Sequence, residues 1–466
     1  MPQAQPLYEA RVPIHPRSVK GRFRNLKTGI LLIAYGVFFG LPWIRWEREF
    51  GPSQAVLFDI PGRQFHIFDL VVYPQDIFWL AGILMLAALL LFFVTGVAGR
   101  VFCGYFCFQT LWTDVFMFLE GRIQGERPAR LRLAKQPWNG EKLVKYGLTH
   151  LSWLLVAFAT GLGFVLYWGD APTIVGQFFT GEAVAAAYIT AGILTATTYT
   201  AAGLAREQVC TYICPYARFQ SVMFDRDTLI VSYDAARGEG SAGRAKVHAG
   251  LKSREERQAA GVGDCIDCGY CVQVCPTGID IRDGLQYQCI HCALCIDACD
   301  TIMDKQGWPR GLIAYTSERE QEGGKTHLVK GKTLGYGIAI VVVIGALLYS
   351  IIERPPVDAN VNQVRQPLYV QMADGSVQNG YEMRLNNVSH EVLDFVIGID
   401  GLANAELDLG RVDEIRLDPG ERITVLIRVR AEIEPGMPSP YSFDFVIRDR
   451  EGRIEPLRVD SRFSYR

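Results

Sequence analysis

Twelve cysteines lie between Cys103 and Cys299, and their spacing is regular. Eight of them form two runs of the pattern Cys-x2-Cys-x2-Cys-x3-Cys, a spacing by which thiolates hold [4Fe-4S] clusters. In such a pair of runs, three thiolates hold one cluster and the fourth reaches the other cluster. The runs therefore predict two [4Fe-4S] clusters, one with the ligands Cys265, Cys268, Cys271 and Cys299 and one with the ligands Cys289, Cys292, Cys295 and Cys275.

Zinc is the alternative metal for these runs, because paired Cys-x2-Cys motifs also bind zinc. The duplicated run of four cysteines is far more demanding than two isolated pairs, and it favours clusters. Pro276 follows Cys275, where the chain must turn away, whereas Asp300 follows Cys299. The spacing predicts a bacterial-type 2[4Fe-4S] ferredoxin module. It leaves open whether the clusters transfer electrons or only stabilise the fold.

The other four cysteines form two Cys-x3-Cys pairs, Cys103 with Cys107 and Cys210 with Cys214. If each pair lies on a helix, its sulfur atoms share one face, one turn apart, and can bind one metal together. The two pairs resemble each other and each follows an apolar segment, so we expect an internal duplication that brings the four thiols together. Soft thiolates select Cu(I), zinc or an iron-sulfur centre. The alternative is that these cysteines are packed small residues.

Three further side chains near the pairs are ambiguous. His150 is either an additional metal ligand or an interfacial histidine. Asp114 and Glu207 either bind a cation that enters the site or are solvated charges at the ends of spans.

Five apolar segments have the length of about 20 residues that crosses a bilayer. They are residues 29–46, 77–98, 148–168, 183–205 and 333–352. The first lacks a small-residue cleavage site and is predicted to be an anchor, not a signal peptide. Hydrophobic residues make up 49% of the chain, which is typical of a membrane protein, and the formal net charge of -2 gives no reason to expect nucleic acid as a partner.

Lysine and arginine in the connecting segments predict the orientation, because basic residues near span ends stay in the cytoplasm. The segment 99–147 and the segment between the fourth and fifth spans are basic, whereas residues 169–182 contain no lysine or arginine. The N-terminus and every cysteine are therefore predicted to be cytoplasmic, and residues 353–466 to lie outside. Thiols in a reducing compartment remain available as metal ligands.

Residues 234–263 lack apolar periodicity and are predicted to be a mobile tether or a short surface helix. Beyond the fifth span, apolar and polar residues alternate with a period of two, as at Ile423, Val425, Ile427 and Val429. About seven such runs, punctuated by Pro435, Pro438 and Pro440, predict one compact β-sandwich. We expect it to bind a partner protein or to cap the fifth span.

These observations predict a multi-domain membrane protein with an α-helical bundle of five spans. Its parts are a cytoplasmic basic segment (1–28), a four-span membrane domain with both Cys-x3-Cys pairs (29–232), a linker (233–263), the ferredoxin module (264–332), a fifth transmembrane helix (333–352) and the outer domain (353–466).

The motifs together resemble those of the cytochrome c oxidase accessory protein CcoG family, also called the FixG or RdxA family. They include Ser-Val-Lys-Gly-Arg-Phe-Arg-Asn-Leu at 18–26, Gly-Arg-Val-Phe-Cys-Gly-Tyr-Phe-Cys at 99–107 and Ala-Arg-Glu-Gln-Val-Cys-Thr-Tyr-Ile-Cys-Pro at 205–215. The set is completed by three further motifs, Gly-Asp-Cys at 263–265, Cys-Pro-Thr-Gly-Ile-Asp-Ile-Arg-Asp-Gly-Leu at 275–285 and Cys-Ile-Asp-Ala-Cys-Asp at 295–300. The resemblance spans almost the whole chain.

The resemblance implies a bacterial inner-membrane protein that reduces Cu(II) to Cu(I) for assembly of cbb3-type cytochrome c oxidase. Copper would be handled by Cys103, Cys107, Cys210 and Cys214, and the outer domain would be periplasmic and immunoglobulin-like. Implied partners are the lipid bilayer, a soluble or quinol electron donor, and copper-delivery and oxidase-assembly proteins; a homodimer is compatible with the sequence. Phe108 departs from the family pattern, which usually has proline after the first pair.

Two other functions remain open at this point. One is a membrane electron-transfer subunit that oxidises quinol and needs a quinone pocket. The other is a non-enzymatic copper-binding scaffold, in which the clusters only stabilise the fold.

Overall fold

The computed structural model describes residues 13–48, 51–248, 250–389, 391–410, 415–433 and 437–465. The predictions that involve residues 1–12 and Pro435 fall outside these residues. The chain divides into two compact units. The first takes in the described residues of Met1–Ile44, Gln54–His66 and Val72–Ala346, and the second those of Arg45–Ser53, Ile67–Val71 and Leu347–Arg466.

Helices dominate the chain up to residue 352. They are α1 (Arg22–Gly40), α2 (Ile77–Ala98), α3 (Val101–Tyr105), α4 (Phe108–Gln124), α5 (Arg127–Lys135), α6 (Gly140–Val165), α7 (Ala171–Thr180), α8 (Ala185–Thr198), α9 (Pro215–Met223), α10 (Ala235–Glu239), α11 (Arg254–Ala259), α12 (Tyr270–Val274), α13 (Leu294–Gln306), α14 (Glu318–Gln321) and α15 (Gly331–Ile352). Short strands β1 (Val56–Asp59), β2 (Gln64–Ile67) and β3 (Leu70–Val72) lie between α1 and α2.

Five helical stretches in the described part of the chain are long and apolar enough to cross a membrane. They are Arg22–Trp43, Pro74–Ala98, Val101–Gln124, Gly140–Trp168 and Gly331–Ile352, and a helix pair bent by 90°, Ala171–Thr180 with Ala185–Ala205, is a sixth candidate. Four of these stretches coincide with predicted spans, and the predicted span 183–205 lies in the second arm of the bent pair. The number of spans stays a prediction.

The stretch Val101–Gln124 corrects one expectation. Residues 99–147 were expected to be a connecting segment, but α3 and α4 form a largely apolar helical stretch there. Asp114 and Glu120 interrupt the hydrophobicity of α4, and both side chains are buried. A search for uninterrupted apolar residues misses such a helix, because it counts buried charges as if they faced solvent or lipid.

The two cysteine runs lie between strands β4 (Ile230–Tyr233) and β5 (Ile313–Thr316), which pair in antiparallel register with Tyr233 opposite Ile313. Helices α10 to α13 follow β4; α12 contains Cys271 and is followed directly by Cys275, and α13 contains Cys295 and Cys299. The hydrophobic core of this module includes Ile296, Met303 and Leu312, all fully buried.

Residues 234–263 are packed against this module, so the mobile-tether interpretation is wrong for the described residues. The Arg257 side chain is fully buried and donates hydrogen bonds to the carbonyl oxygens of Gly263, Ala245 and Cys265, each at 2.9 Å. The alternative of a short helix is confirmed by α11, whose N-terminus is closed by a capping box between Ser253 and Glu256.

The second unit contains a β-sandwich. One sheet has the strand order β10-β12-β8-β6, with β7 also paired to β8, and the other has the order β11-β9-β13-β14. The strands are β6 (Val357–Gln363), β7 (Val370–Gln371), β8 (Val377–Asn387), β9 (Leu393–Asp400), β10 (Glu406–Asp408), β11 (Ile415–Leu417), β12 (Arg422–Ala431), β13 (Tyr441–Asp449) and β14 (Leu457–Phe463). Val425, Ile427 and Val429 are buried and alternate with exposed residues, as the period-two pattern predicts.

Candidate iron-sulfur and thiol site

The first cysteine set lines a cavity in the ferredoxin module. Its walls include the four thiols that the spacing assigns to one cluster, Cys265, Cys268, Cys271 and Cys299. Asp267 and Gly269 have left-handed backbone conformations, with φ of 47° and 63°. These two turns curl the loop around the cavity before α12 begins at Tyr270.

The second set lines another cavity. Its walls include Cys275, Cys289, Cys292 and Cys295, the four thiols that the spacing assigns to the other cluster. The left-handed turns recur at His291 and Ala293, with φ of 51° and 58°, so the second loop repeats the backbone path of the first.

Both cavities therefore fit a cuboidal cluster in the chemistry of their walls, which are thiol-rich and otherwise mainly apolar. Burial raises the pKa of the Cys271 and Cys289 thiols to about 12. Such groups become thiolates only when a cation is bound, as iron would be. The two sets differ in exposure: Cys268 is exposed, whereas Cys289 and Cys292 are buried.

The backbone at the Cys-x3-Cys pairs corrects the expectation of two sulfurs on one helix face. Helix α3 ends at Tyr105, and Cys107 is extended, with φ of -65° and ψ of 128°, immediately before α4. Cys210 lies in the π-helical turn Val209–Ile213, and Cys214 is extended, with φ of -75° and ψ of 110°, immediately before α9. Both pairs thus consist of one thiol in a short helical turn and one at the start of the next helix.

Phe108 occupies the first helical position after Cys107, and Pro215 occupies the same position after Cys214. Since the two preceding cysteines have nearly the same φ and ψ, the departure from proline at residue 108 leaves the geometry at Cys107 unchanged. Proline favours the first turn of a helix but is not required there.

The two pairs lie close together. Burial is the largest cause that raises the pKa of the Cys210 thiol to about 12, and the charges of Cys107 and Cys214 add to it. Cys103 Sγ lies 3.3 Å from Gln220 Oε1 on α9, the helix that begins after the second pair. Gln220 Nε2 in turn donates to Thr95 Oγ1 on α2 at 3.1 Å. Gln220 therefore links the surroundings of both pairs, although no motif in the sequence points to it.

The thiols do not form a ready-made site for a single ion with three or more ligands. Among the described residues, no three His, Cys, Asp or Glu side chains are grouped closely enough to hold one metal ion. A centre with two thiolates needs no such group, and Cu(I) accepts low coordination by soft ligands.

The first pair packs directly against the second cluster loop. A β-carbon added to Gly104 would lie 2.7 Å from the carbonyl oxygen of Ile290 and 2.9 Å from Cys292 Cα. The Tyr105 hydroxyl donates to the carbonyl oxygen of Cys292 at 3.1 Å. The N–H of Arg100 donates to His291 Nδ1 at 3.0 Å. The thiol pair and the cluster ligands therefore share one packed interface.

The N-terminal segment also contacts the ferredoxin module. The Asp297 carboxylate accepts hydrogen bonds from the backbone N–H groups of Phe23 at 3.2 Å and Arg24 at 2.8 Å. The N–H of Arg17 donates to the carbonyl oxygen of Gln273 at 2.7 Å. Part of the family-like motif at residues 18–26 thus positions the module on α1.

Two of the three ambiguous side chains, Asp114 and His150, have defined partners. Asp114 is buried and pairs with Arg24 at 2.8 Å and with Lys27 at 3.5 Å. It is therefore an internal counter-ion and not a solvated charge. His150 Nδ1 lies 2.8 Å from the Tyr199 hydroxyl, a contact that joins α6 to the π-helical stretch Tyr199–Ala205.

A third, open cavity lies beside Cys210 of the second pair. Its polar walls include Cys210, Glu207 and Thr113, together with Thr277 from the ferredoxin module. Lys27 belongs to the same walls. This cavity adjoins both the thiol pair and the loop after Cys275.

Comparison with known proteins agrees with this architecture. Residues 205–318 match the model of the 4Fe-4S dicluster domain, and residues 347–466 match the model of the IG-like fold at the C-terminal of FixG. The chain thus has a domain for two [4Fe-4S] clusters and an immunoglobulin-like C-terminal domain. A crystal structure of a FixG-related protein from Vibrio parahaemolyticus aligns with 23% of this chain and 95% of that chain, at 21% identity and a TM-score of 0.21.

Three relatives align with most of the chain. Protein RdxB of Cereibacter sphaeroides is 44% identical over 417 residues, covering 87% of this chain and 86% of the relative. Protein RdxA of the same organism is 43% identical over 410 residues, covering 86% of this chain and 85% of the relative. Nitrogen fixation protein FixG of Rhizobium meliloti is 40% identical over 456 residues, covering 90% of this chain and 84% of the relative.

Proposed function

This chain belongs to the FixG/RdxA family, and from that premise we propose that it reduces Cu(II) to Cu(I) for assembly of cbb3-type cytochrome c oxidase. The observation that carries the proposal is the packing of Gly104, inside the first thiol pair, against Cys292 of the second cluster set. Contact between the two kinds of sulfur site is what electron delivery to a thiol-bound metal requires.

The cluster ligands are assigned as the spacing predicts, Cys265, Cys268, Cys271 and Cys299 for one cluster and Cys275, Cys289, Cys292 and Cys295 for the other. When bound, the clusters supply one-electron transfer. The exposure of the two cysteine sets suggests the order of electron transfer. Cys268 is exposed, so an electron donor can approach its set first, whereas buried Cys292 belongs to the set that contacts the thiol pair.

Copper is the substrate of the second site. Cys103, Cys107, Cys210 and Cys214 are soft ligands that favour Cu(I) over Cu(II), so the product of reduction is held more firmly than the incoming ion. Because the described residues offer no group of three or more ligands for one ion, the favoured arrangement uses two thiolates for each copper. A thiolate pair also releases Cu(I) to an acceptor protein by ligand exchange.

The basic residues between the fourth and fifth predicted spans support a cytoplasmic location for this segment, which contains the ferredoxin module, Cys210 and Cys214, in the inner membrane of a bacterium. The packing of Gly104 against the second cluster loop then assigns the first thiol pair to the same side. The immunoglobulin-like domain would then be periplasmic. Its surface is available there to copper-delivery or oxidase-assembly proteins, while the electron donor approaches from the cytoplasm.

The test measures reduction of copper by the protein itself. Full-length protein in detergent is reduced, separated from excess reductant, and mixed with Cu(II), and Cu(I) is followed with a chromogenic chelator. We expect the Cys268→Ala variant to lose reduction while it still binds added Cu(I), and the Cys103→Ser, Cys210→Ser double variant to lose copper binding. Ser221→Ala on α9 is the control. Unchanged reduction by the Cys268→Ala variant would contradict the proposal and favour a scaffold.

A second candidate function is quinol oxidation, which the polar cavity beside Cys210 favours. Thr113, Thr277 and Lys27 offer hydrogen-bond donors there for the oxygens of a quinone headgroup. The measurement is anaerobic bleaching of the cluster absorption by a short-chain quinol. Bleaching that the Thr113→Val variant loses, and that the exposed Thr173→Val variant keeps, would support quinol as donor; no bleaching in the unaltered protein would exclude it.

A further inference from the structure

Arg100 is a buried cation with no acidic partner in the part of the chain that the structure describes. Its residue is 2% exposed, and it precedes Cys103 by one turn of chain. One guanidinium nitrogen, Nη1, donates to the carbonyl oxygen of Tyr287 and lies 3.5 Å from that of Cys289. Nε and Nη2 have no hydrogen-bond partner among the described residues.

Several other buried or half-buried basic side chains are neutralised by a carboxylate. Lys27 and Arg24 share the carboxylate of Asp114. Arg130 and Arg206 share the carboxylate of Glu120, at 3.2 and 2.6 Å. In the described chain no carboxylate lies within ion-pair distance of Arg100. In the same part of the chain the fully buried Arg257 also has no carboxylate in an ion pair, but it donates to three carbonyl oxygens. Arg100 has two nitrogens without a hydrogen-bond partner among the described residues, and a buried charge in that state is unfavourable, so the site around Arg100 favours negative charge from another source.

Thiols are the ionisable groups that can supply negative charge to this guanidinium. Arg100 interacts electrostatically with Cys103, Cys210 and Cys214 of the two pairs and with Cys289 of the second cluster set. Tyr216 and His291 are also close, but neither is a source of negative charge at neutral pH. Thiolates with their bound metal are therefore the anions that match the charge of Arg100.

We infer that Arg100 is the counter-ion of the copper-thiolate centre and favours its reduced state. The inference rests on the proposed function. Cu(II) held by two thiolates is neutral, and the same site with Cu(I) carries one negative charge. The step adds one electron, supplied by the reduced iron-sulfur module, breaks no bond and transfers no proton. A fixed positive charge in a water-excluded site stabilises the negative product and not the neutral reactant.

This role differs from that of a ligand. Arg100 has no atom that binds a metal. It acts on the copper through the charge of the thiolate centre, so it is a positioning residue and not a catalytic residue. It also touches the loop of the second cluster set through His291 and Cys289. The same side chain thus lies where the electron leaves the module and where the added charge arrives.

The test is a redox titration of copper in full-length protein. With copper added and the potential held by mediators, electron paramagnetic resonance gives the ratio of Cu(I) to Cu(II). We expect Arg100→Met to lower this ratio at least about tenfold, equivalent to about 59 mV for one electron. Arg100→Lys keeps the charge and should stay within about threefold of the unaltered protein by the same conversion. Arg130→Met, which removes a buried arginine next to Glu120, is the matched control.

The outcomes separate the inference from the proposed function. If copper binds and Arg100→Met has the same ratio as the unaltered protein, the assignment of Arg100 is overturned while copper reduction stands. If the unaltered protein binds no copper at its four membrane thiols, the proposed function itself is overturned. Cluster absorption reports folding, and if Arg100→Met loses it, Arg100→Gln replaces it, since the amide keeps a donor for the Cys289 carbonyl.

Discussion

The Asp297 carboxylate accepts a hydrogen bond from the backbone N–H of Arg24 at 2.8 Å, across 273 positions of sequence. Asp297 lies between Cys295 and Cys299 on α13, and Arg24 lies in the first turn of α1. The first turn of a helix has N–H groups with no partner inside the helix, and this carboxylate satisfies two of them. A candidate membrane helix is thereby capped by the ferredoxin module.

Loss of that cap should destabilise the protein. For Asp297→Ala we expect a loss of about 1 kcal/mol in the free energy of unfolding, because two N–H groups lose their acceptor. Asp297→Asn keeps an acceptor oxygen and should lose less. Thermal unfolding in detergent measures the difference, with exposed Asp283→Ala as the control. Equal midpoints for Asp297→Ala and Asp283→Ala would show that the cap contributes nothing.

Substitution of Gly104 should separate the thiol pair from the cluster loop. In Gly104→Ala the new β-carbon meets backbone atoms of Ile290 and Cys292, which cannot move aside as a side chain can. We expect a cost of about 1–3 kcal/mol and slower delivery of electrons to copper, measured by stopped-flow after reduction of the clusters.

The control is Gly147→Ala on α6, where a β-carbon would have no neighbour within 4 Å. That change should leave electron delivery as it was and stabilise the helix by up to about 1 kcal/mol. Equal rates in both variants would mean that the packing at Gly104 is not part of the electron path.

Arg257→Met should unfold the ferredoxin module locally. Three carbonyl oxygens lose their buried donor, so we expect a loss of about 3 kcal/mol and poorer retention of iron. Exposed Gln258→Ala on the same helix should change stability by no more than about 0.5 kcal/mol. Iron content after purification and resistance to proteolysis give the comparison, and equal values for both variants would restore the tether interpretation.

The cluster-free protein should lose stability in alkali. Burial raises the pKa of Cys289 to about 12 in the folded state, whereas a thiol in the unfolded chain titrates near about 8.5. A raised folded-state pKa contributes stability that is complete below about 8.5 and is lost as the pH rises toward 12. Iron-bound thiolates carry no proton to lose, so the cluster-containing protein should lack this dependence.

Denaturant midpoints at pH 7 and pH 10, with and without clusters, measure this effect. Cluster-free Cys289→Ser is the matched variant, because serine does not titrate in this range, and its alkaline loss should be smaller. If the cluster-free and cluster-containing proteins lose the same stability between pH 7 and pH 10, the effect comes from titratable groups other than the cluster thiols.

The sequence predicted the features that depend on local spacing. The ligand sets follow from cysteine intervals, and each set lines its own cavity. The strands at Ile423 and Phe443 follow from alternation on a half-buried sheet. In both cases, residues within one short segment determine the outcome.

Contacts between distant segments could not be predicted in this way. Arg100 and Cys289 are 189 positions apart, and nothing near Arg100 in the sequence reveals that its charge is buried. The break between α3 and α4 was missed because the spacing of two cysteines does not determine whether the helix continues between them. The packed segment around Arg257 was missed because its hydrogen bonds go to backbone oxygens, which leave no pattern in the sequence.

The pairing of β4 with β5 places the entrance and exit of the cysteine-rich module side by side, with Tyr233 opposite Ile313. Such a two-stranded neck lets a complete domain be inserted into, or exchanged within, a host chain without displacing the flanking elements. A chimaera in which another electron carrier replaces the module between β4 and β5 would test whether the Cys-x3-Cys thiols can receive electrons from a different domain.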